Sequence, residues 1–406
     1  MTIDPACPVL SAVEAVTVAA ELAAVFAAGA SERDRTRTLP FPEVERLAAS
    51  GLLGITVPRG YGGAGLPPSA AAEVLRILAA ADPNIAQIPH SHFNYLNLLR
   101  LAGTPEQLAR YSRHVLNGAL IANAQAERTG PTAADVATTL TPADGRFRID
   151  GIKYYCTGSL FADILAVLTR LDDPDGRSGL QDGQYVAFLP ARTDGVRVSD
   201  DWDAIGQRTT GSGTVHFEGV VVDRSDIVAR AAAVNVPTGY GAFAQLMHAA
   251  IDAGIARGAL QAAASFARDH SRPWFEAGVA QAIDDPLLIQ RFGELTVSVR
   301  AAEFALTAAG RAVDATVSGG AATESDSAEA SLAVATAKIL ADRAANEVSS
   351  ALFEVTGTRS TAAHLNLDHF WRNARTHTVH DPIRWKYQHL GRALLHGTPP
   401  PLHPAI

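Results

Sequence analysis

The chain has 406 residues, 47% of them hydrophobic and 19% charged, with a net charge of −8. That length allows two or three domains or one large layered unit, and the composition supports a sizeable core rather than a disordered chain. The acidic balance and the absence of a basic run exclude a nucleic-acid surface, while two cysteines, Cys7 and Cys156, exclude a disulfide framework and fit a reducing cytoplasm.

The first residues, MTIDPACPVLSAVEAV, lack the cationic region of a signal peptide. The Ala-rich VTVAAELAAVFAAGA is interrupted by Glu21 and reads as a buried helix rather than a membrane span. Leu, Val and Ala keep helical spacing through FPEVERLAASG and SAAAEVLRILAAAD, so residues 1–118 form an α-helical domain. Between those two helices lies GYGGAG, Gly60 to Gly65, a match to G-x-G-x-x-G. A dinucleotide fingerprint would open a helix directly and lead to a parallel strand. Here Pro67-Pro68 delay the helix and more helix follows, which makes the segment a loop.

The texture changes over residues 119–232. LIANAQAE, FRIDGIKYYCTG, ILAVLTRL, QYVAFLPA, VRVSD and GTVHFEGVVV are short runs rich in Val, Ile, Tyr and Thr. Asp-Gly turns at 144–145, 150–151, 182–183 and 194–195 bound them and predict an antiparallel β-sandwich or barrel. Residues 233–406 return to helix. Three long, weakly charged stretches, 240–270, 285–319 and 327–357, predict a helical bundle that buries several faces and packs across a subunit interface. GGAATESDSAE, 319–329, is expected as a loop, and the Pro-rich tail as extended chain. The order is helical, then β, then helical, an α+β architecture and not a nucleotide-binding βαβ alternation.

VPRGYGGAGL (57–66) resembles the P-x-x-Y-G-G-x-G loop of the acyl-CoA dehydrogenase family, and the domain order matches that family over essentially the whole chain. LIANAQAERTG (120–130), GIKYYCTGSLFADIL (151–165) and IGQRTTGSGTVHFEGVVV (205–222) resemble its flavin-facing segments. Four further stretches resemble a monooxygenase branch that includes dibenzothiophene monooxygenase: HAAIDAGIARGAL (248–260), SRPW (271–274), FEVTGTRST (353–361) and FWRNARTHTVHDPIRWKYQHLG (370–391). The resemblance implies an N-terminal helical domain, a middle antiparallel β-domain and a C-terminal four-helix bundle. It also implies a homotetrameric enzyme that takes reduced FMN from a separate NAD(P)H:flavin reductase. Such enzymes use O2, through a C4a-(hydro)peroxyflavin, on a small organosulfur compound.

The resemblance places His92, Thr157, His377 and His380 at the reacting centre. It places Asn123, Gln125, Thr157, Gly158, Ser159, Trp202 and Arg272 around the cofactor. His377 and His380 stand three apart, on one face of a helix. An imidazole titrates near neutrality and is suited to protonating an oxygen adduct. A two-histidine metal site with Asp381 and His92 is the competing reading of those residues, but no H-E-x-x-H or paired cysteines accompany it. His248, alone on an apolar helix, reads as a core histidine. The runner-up function is an FAD-dependent acyl-CoA dehydrogenase. Its carboxylate base, which many members carry in a Tyr-Glu-Gly segment, is replaced here by Val379-His380-Asp381-Pro382, where Asp381 is one methylene shorter; other members place the base on an earlier helix. A third reading keeps the fold as a non-catalytic scaffold.

Overall fold

The computed structural model describes residues 7–317 and 322–406. Six helices come first: α1 (Ala12–Thr36), α2 (Phe41–Ala49), α3 (Pro68–Ala81), α4 (Pro83–Gln87), α5 (His90–Ala102) and α6 (Pro105–Leu116). Local chemistry sets their ends. Ser11 and Glu14 close a capping box on α1, and Thr104 and Gln107 do the same for α6, whose first residue is Pro105. α1 is long and apolar enough to cross a membrane by length and composition alone. Ala15, Ala19, Ala23, Phe26 and Ala30 form its buried face, while Val13, Val16 and Val25 remain exposed.

Eight strands follow: β1 (Ile121–Ala124), β2 (Thr139–Ala143), β3 (Arg146–Cys156), β4 (Ile164–Leu171), β5 (Gln184–Pro190), β6 (Val196–Ser199), β7 (Gly213–Val222) and β8 (Ile227–Ala229). They form one sheet in the order β6-β7-β3-β2-β4-β5-β8, with β1 also on β4. The β2–β3 hairpin turns at Asp144 and Gly145, both at positive φ, as a two-residue turn of this hand requires. The sheet is mixed where an antiparallel one was expected, because β4 pairs in parallel with both β1 and β2. Residues 164–169 of β4 are buried without interruption, the unalternating apolar pattern of a strand covered on both faces.

The C-terminal part begins with the short α7 (Ala231–Val234) and contains the long helices α8 (Tyr240–His270), α9 (Pro286–Val317) and α10 (Glu324–Thr356). The shorter α11 (His369–Thr378) and α12 (Arg384–His396) pack on α10. Of the expected loop at 319–329, residues 318–321 lie outside the described residues. Thr323 caps α10 through a capping box with Asp326, so 324–329 is helix. α8 is buried on every side from Ala242 to Ala256, which marks it as the central helix. Gly254 and Gly258 let α3 cross it closely: a Cβ at either would stand 2.5 Å from the Arg76 carbonyl or 2.3 Å from that of Ala80. Together these packings bring the N-terminus of α5, strand β1, the first half of α8 and the C-terminus of α11 to one place.

Candidate functional site

The β-domain side of that place is a turn. β3 ends at Cys156, and Thr157-Gly158-Ser159 follow, with Gly158 at φ +80° where a side chain is strained. The Thr157 hydroxyl lies 2.8 Å from that of Ser212, which lies 2.7 Å from that of Thr210, which donates to the Gln207 carbonyl at 3.0 Å. Trp202 Nε1 donates to the same carbonyl at 2.8 Å. Ser159 Oγ donates to the Gly211 carbonyl at 3.3 Å. Across the turn, Asn123 on β1 donates to Ser91 Oγ at 3.0 Å, and Gln125 Oε1 accepts from the Tyr95 hydroxyl at 3.3 Å.

The helical side is a cluster of imidazoles. The His90 ring packs against His248 with centroids 3.9 Å apart and planes tilted by 38°, and His248 against His380 at 4.3 Å and 45°. His248 Nδ1 stands 3.2 Å from His377 Nε2, and His377 Nδ1 stands 2.5 Å from Asp252 Oδ1. Lys338 Nζ donates to the other oxygen of Asp252 at 2.6 Å. Burial pushes the pKa of His90 down to about 3 and that of His380 to about 4, with the neighbouring imidazoles and Lys338 adding to the shift. His248 is driven well below its ordinary value by burial, then by His90, His380, His377 and Lys338. His380 is nevertheless an exposed residue, whereas His90, His248 and His377 are buried, so the cluster comes nearest to solvent at His380.

The two sides meet at Ile88–His92. A Cβ on Gly158 would stand 3.4 Å from the Ile88 carbonyl, two residues before His90, and Asn123 bonds Ser91. His377 and His380 therefore share one cluster. His92, expected with them, does different work. Its Nδ1 accepts from Ile121 N–H at 3.1 Å and its Nε2 lies 2.9 Å from the Leu53 carbonyl, so both nitrogens are bonded to main chain in a fully buried ring. His90 occupies the place expected of His92. Arg272 is exposed on the loop after α8. His248 and His270 are 22 residues apart on α8, about 33 Å at 1.5 Å per residue. Arg272 thus does not face the cluster within one chain. Reasoning from sequence missed Asp252 and Lys338, set His248 aside as a core histidine, and chose His92 over its neighbour His90. The available signal was Asp252 four residues after His248, a carboxylate and an imidazole on one face of an apolar helix.

Family models of the acyl-CoA dehydrogenase N-terminal, middle and C-terminal domains match residues 11–119, 124–220 and 246–385. The chain belongs to the acyl-CoA dehydrogenase family. Within this family it is 36% identical over 395 residues to a dibenzothiophene monooxygenase of Rhodococcus qingshengii, covering 95% of this chain and 94% of that one. It is 32% identical to a probable FMNH2-dependent monooxygenase, SfnC, of Pseudomonas putida, covering 95% and 96%. The FMN-bound structure of TdsC from Paenibacillus sp. A11-2 superposes with a TM-score of 0.91 at 33% identity, over 97% of this chain and all of that one. Methanesulfinate monooxygenase MsuC of Pseudomonas fluorescens superposes with a TM-score of 0.89 at 31% identity, over 96% and 99%.

Two features of this acyl-CoA dehydrogenase family member bear on its chemistry. The first is a set of buried polar atoms without partners among the described residues: Asn123 Oδ1, Gln207 Oε1, Thr209 Oγ1, Asn94 Oδ1 and Gln245 Oε1. Each would be costly to leave dry, by about 1–3 kcal/mol, so a polar ligand or water must satisfy it. Asn123, Gln207 and Thr209 adjoin the Thr157 turn, and they fit the hydrogen-bonding edge of a flavin there. The second is Asp381, whose Oδ2 is paired with Lys386 Nζ at 3.1 Å. Burial alone would raise this carboxyl, but Lys338 and Lys386 hold it below its ordinary value. That is the wrong direction for a base that must take a proton near neutral pH.

Proposed function

We propose that this protein is a two-component monooxygenase that uses reduced FMN and O2 to oxygenate an organosulfur compound. One observation carries the reading: four imidazoles, His90, His248, His377 and His380, stand in one cluster while Asp381 beside it is locked to a lysine. Bound reduced FMN would supply the two electrons by which one atom of O2 goes to sulfur and the other becomes water. Asn123, Gln125, Thr157, Gly158, Ser159 and Trp202 would hold and orient it. Thr157 passes its hydroxyl bond to Ser212 and Thr210, so its orientation is fixed by two further hydroxyls rather than by solvent. His380 is the exposed member of the cluster and can hold or give a proton there. His92 holds α5 to β1 and to Leu53, which sets the position of His90 two residues away.

The FMN-bound TdsC structure and the FMNH2-dependent SfnC relative favour FMN over FAD. With no reductase site of its own in this reading, the enzyme receives FMNH2 from a separate NAD(P)H:flavin reductase. We place it in the cytoplasm as a homotetramer. Apolar side chains left exposed on α1, α9 and α12, among them Val13, Val297, Phe304, Leu394 and Leu395, support subunit contacts.

The test supplies reductase-generated FMNH2, O2 and a panel of sulfides, sulfones, sulfinates and acyl-CoA thioesters. Sulfur oxygenation coupled to O2 uptake supports the reading. Flavin bleaching by an acyl-CoA without O2 uptake supports the dehydrogenase instead.

A further inference from the structure

The structure assigns Asp252 and Lys338 as a buried positioning pair that sets the proton state of a two-imidazole relay, His377 to His248, within the histidine cluster. Both side chains are fully buried. The helices they join pack through small apolar residues, Ala249, Ala253 and Ala256 on α8 and Ala337, Ala341 and Ala345 on α10. An apolar pair would serve that packing without the desolvation penalty of two buried charges. What the ion pair adds is direction. Lys338 occupies Asp252 Oδ2, which leaves Oδ1 to accept from His377 Nδ1–H. That bond fixes the tautomer of His377 and turns its Nε2 to His248 Nδ1. Among the described residues no partner takes His248 Nε2.

Two proton arrangements satisfy this chain. In the first, His377 is neutral and its Nε2 accepts from His248 Nδ1–H, so His248 Nε2 holds a lone pair. In the second, His377 is an imidazolium and its Nε2–H donates to His248 Nδ1, so His248 Nε2 carries a proton. The second converts to the first when His248 releases its Nε2 proton and receives the His377 Nε2 proton on Nδ1. No electrons move. The proton is consumed where one oxygen atom of O2 becomes water, and that use rests on the monooxygenase reading; the relay geometry does not. Asp252 is the anion that keeps the imidazolium arrangement within reach. Burial alone would raise its carboxyl, but Lys338 and His377 hold it at about 2, so it stays charged. His90 from α5, Lys338 and Asp342 from α10, and His380 and Asp381 beyond α11 also face the relay.

The experiment uses full-length enzyme supplied with FMNH2 and compares Asp252→Asn with Lys338→Met. A purely structural pair predicts that both variants lose stability and neither moves an ionisation. The relay predicts opposite movements. Removing the anion makes imidazolium harder to form, so the ionisation governing kcat moves to lower pH in Asp252→Asn. Removing the cation moves it to higher pH in Lys338→Met. Asp252→Asn also offers an amide donor to His377 Nδ1, inverting the tautomer, and kcat falls about 100-fold or more with KM little changed, as loss of an orienting carboxylate does elsewhere. Imidazole NMR of the wild-type enzyme provides a readout independent of any sulfur substrate. A far-downfield N–H proton on His377, lost on His377→Gln, is expected whether or not the oxygenation reading holds. Its absence, or unmoved ionisations in folded variants of both residues, overturns the relay.

Discussion

Replacing His92 and His90 in turn separates a histidine that builds the site from one that belongs to it. His92→Leu removes the acceptor of the Ile121 N–H and the partner of the Leu53 carbonyl, both deep in the protein. Each buried main-chain group left unpaired costs about 1–3 kcal/mol, so the variant loses about 2–6 kcal/mol. At about 2 °C per kcal/mol for a large chain, Tm falls by roughly 4–12 °C. His90→Phe keeps a ring packed against His248 and gives up one contact of 3.3 Å to the Ala244 carbonyl. It loses about 1 kcal/mol or less of stability, the net value of one intramolecular hydrogen bond. Its oxygenation falls and its hydrogen peroxide yield rises, because the imidazole cluster has lost a member. Differential scanning calorimetry and a peroxide-coupled oxygenation assay read the two outcomes. A His92→Leu variant with wild-type Tm, or a His90→Phe variant with wild-type coupling, would refute the assignment.

Further predictions concern charge. Lys153 is fully buried and donates to Glu127 at 2.6 Å and to the Gln125 carbonyl at 3.2 Å, so Lys153→Met leaves a buried carboxylate and costs about 3 kcal/mol; limited proteolysis within 128–137 should accelerate. Folding stability should fall below pH 6.5. His90 and His92 are held neutral with pKa values of about 3 and about 4 by burial, whereas the unfolded chain protonates both below pH 6.5. The unfolded state therefore binds more protons, and each residue removes about 2 kcal/mol by pH 5, a loss that continues until pH passes the folded values. Urea titrations at pH 5 and pH 8 check this, and equal midpoints would contradict it. Lys386→Met frees both Asp381 and the Ala405 carbonyl, which Lys386 contacts at 2.5 Å, so the C-terminal residues should exchange amide protons faster while α8 remains protected.

The three-part architecture was legible because its signals are local. Asp-Gly turns bracket the strands, and Ala-rich periodicity runs through α8, α9 and α10. The helix face read for His377 and His380 together did not form: α11 ends at Thr378, and His380 follows in a bend that still brings its ring to the cluster. What was not legible is three-dimensional. His90 and His92 are two residues apart and chemically identical, and only the register of α5 against β1 and α8 decides which one meets the cluster. The parallel partners of β4 are set by chain crossings, not by composition. Lys338 on α10 has Asp342 four residues on, an ordinary helix-face pair in sequence, and its meaning appears only when Asp252, 86 residues earlier, lies beside it. The loop expected at 319–329 was shortened by a capping box at Thr323 and Asp326 that its Ser- and Gly-rich composition concealed.

Isotope labelling shows whether an atom of O2 reaches sulfur. Enzyme, reductase-generated FMNH2 and an organosulfur substrate are mixed under 18O2, and the product is weighed by mass spectrometry. One 18O atom per oxygenation is expected in the sulfur product, with the label following O2 and not H2 18O. Product oxygen drawn from water, or no oxygenated product while an acyl-CoA is desaturated, would contradict oxygen transfer to sulfur.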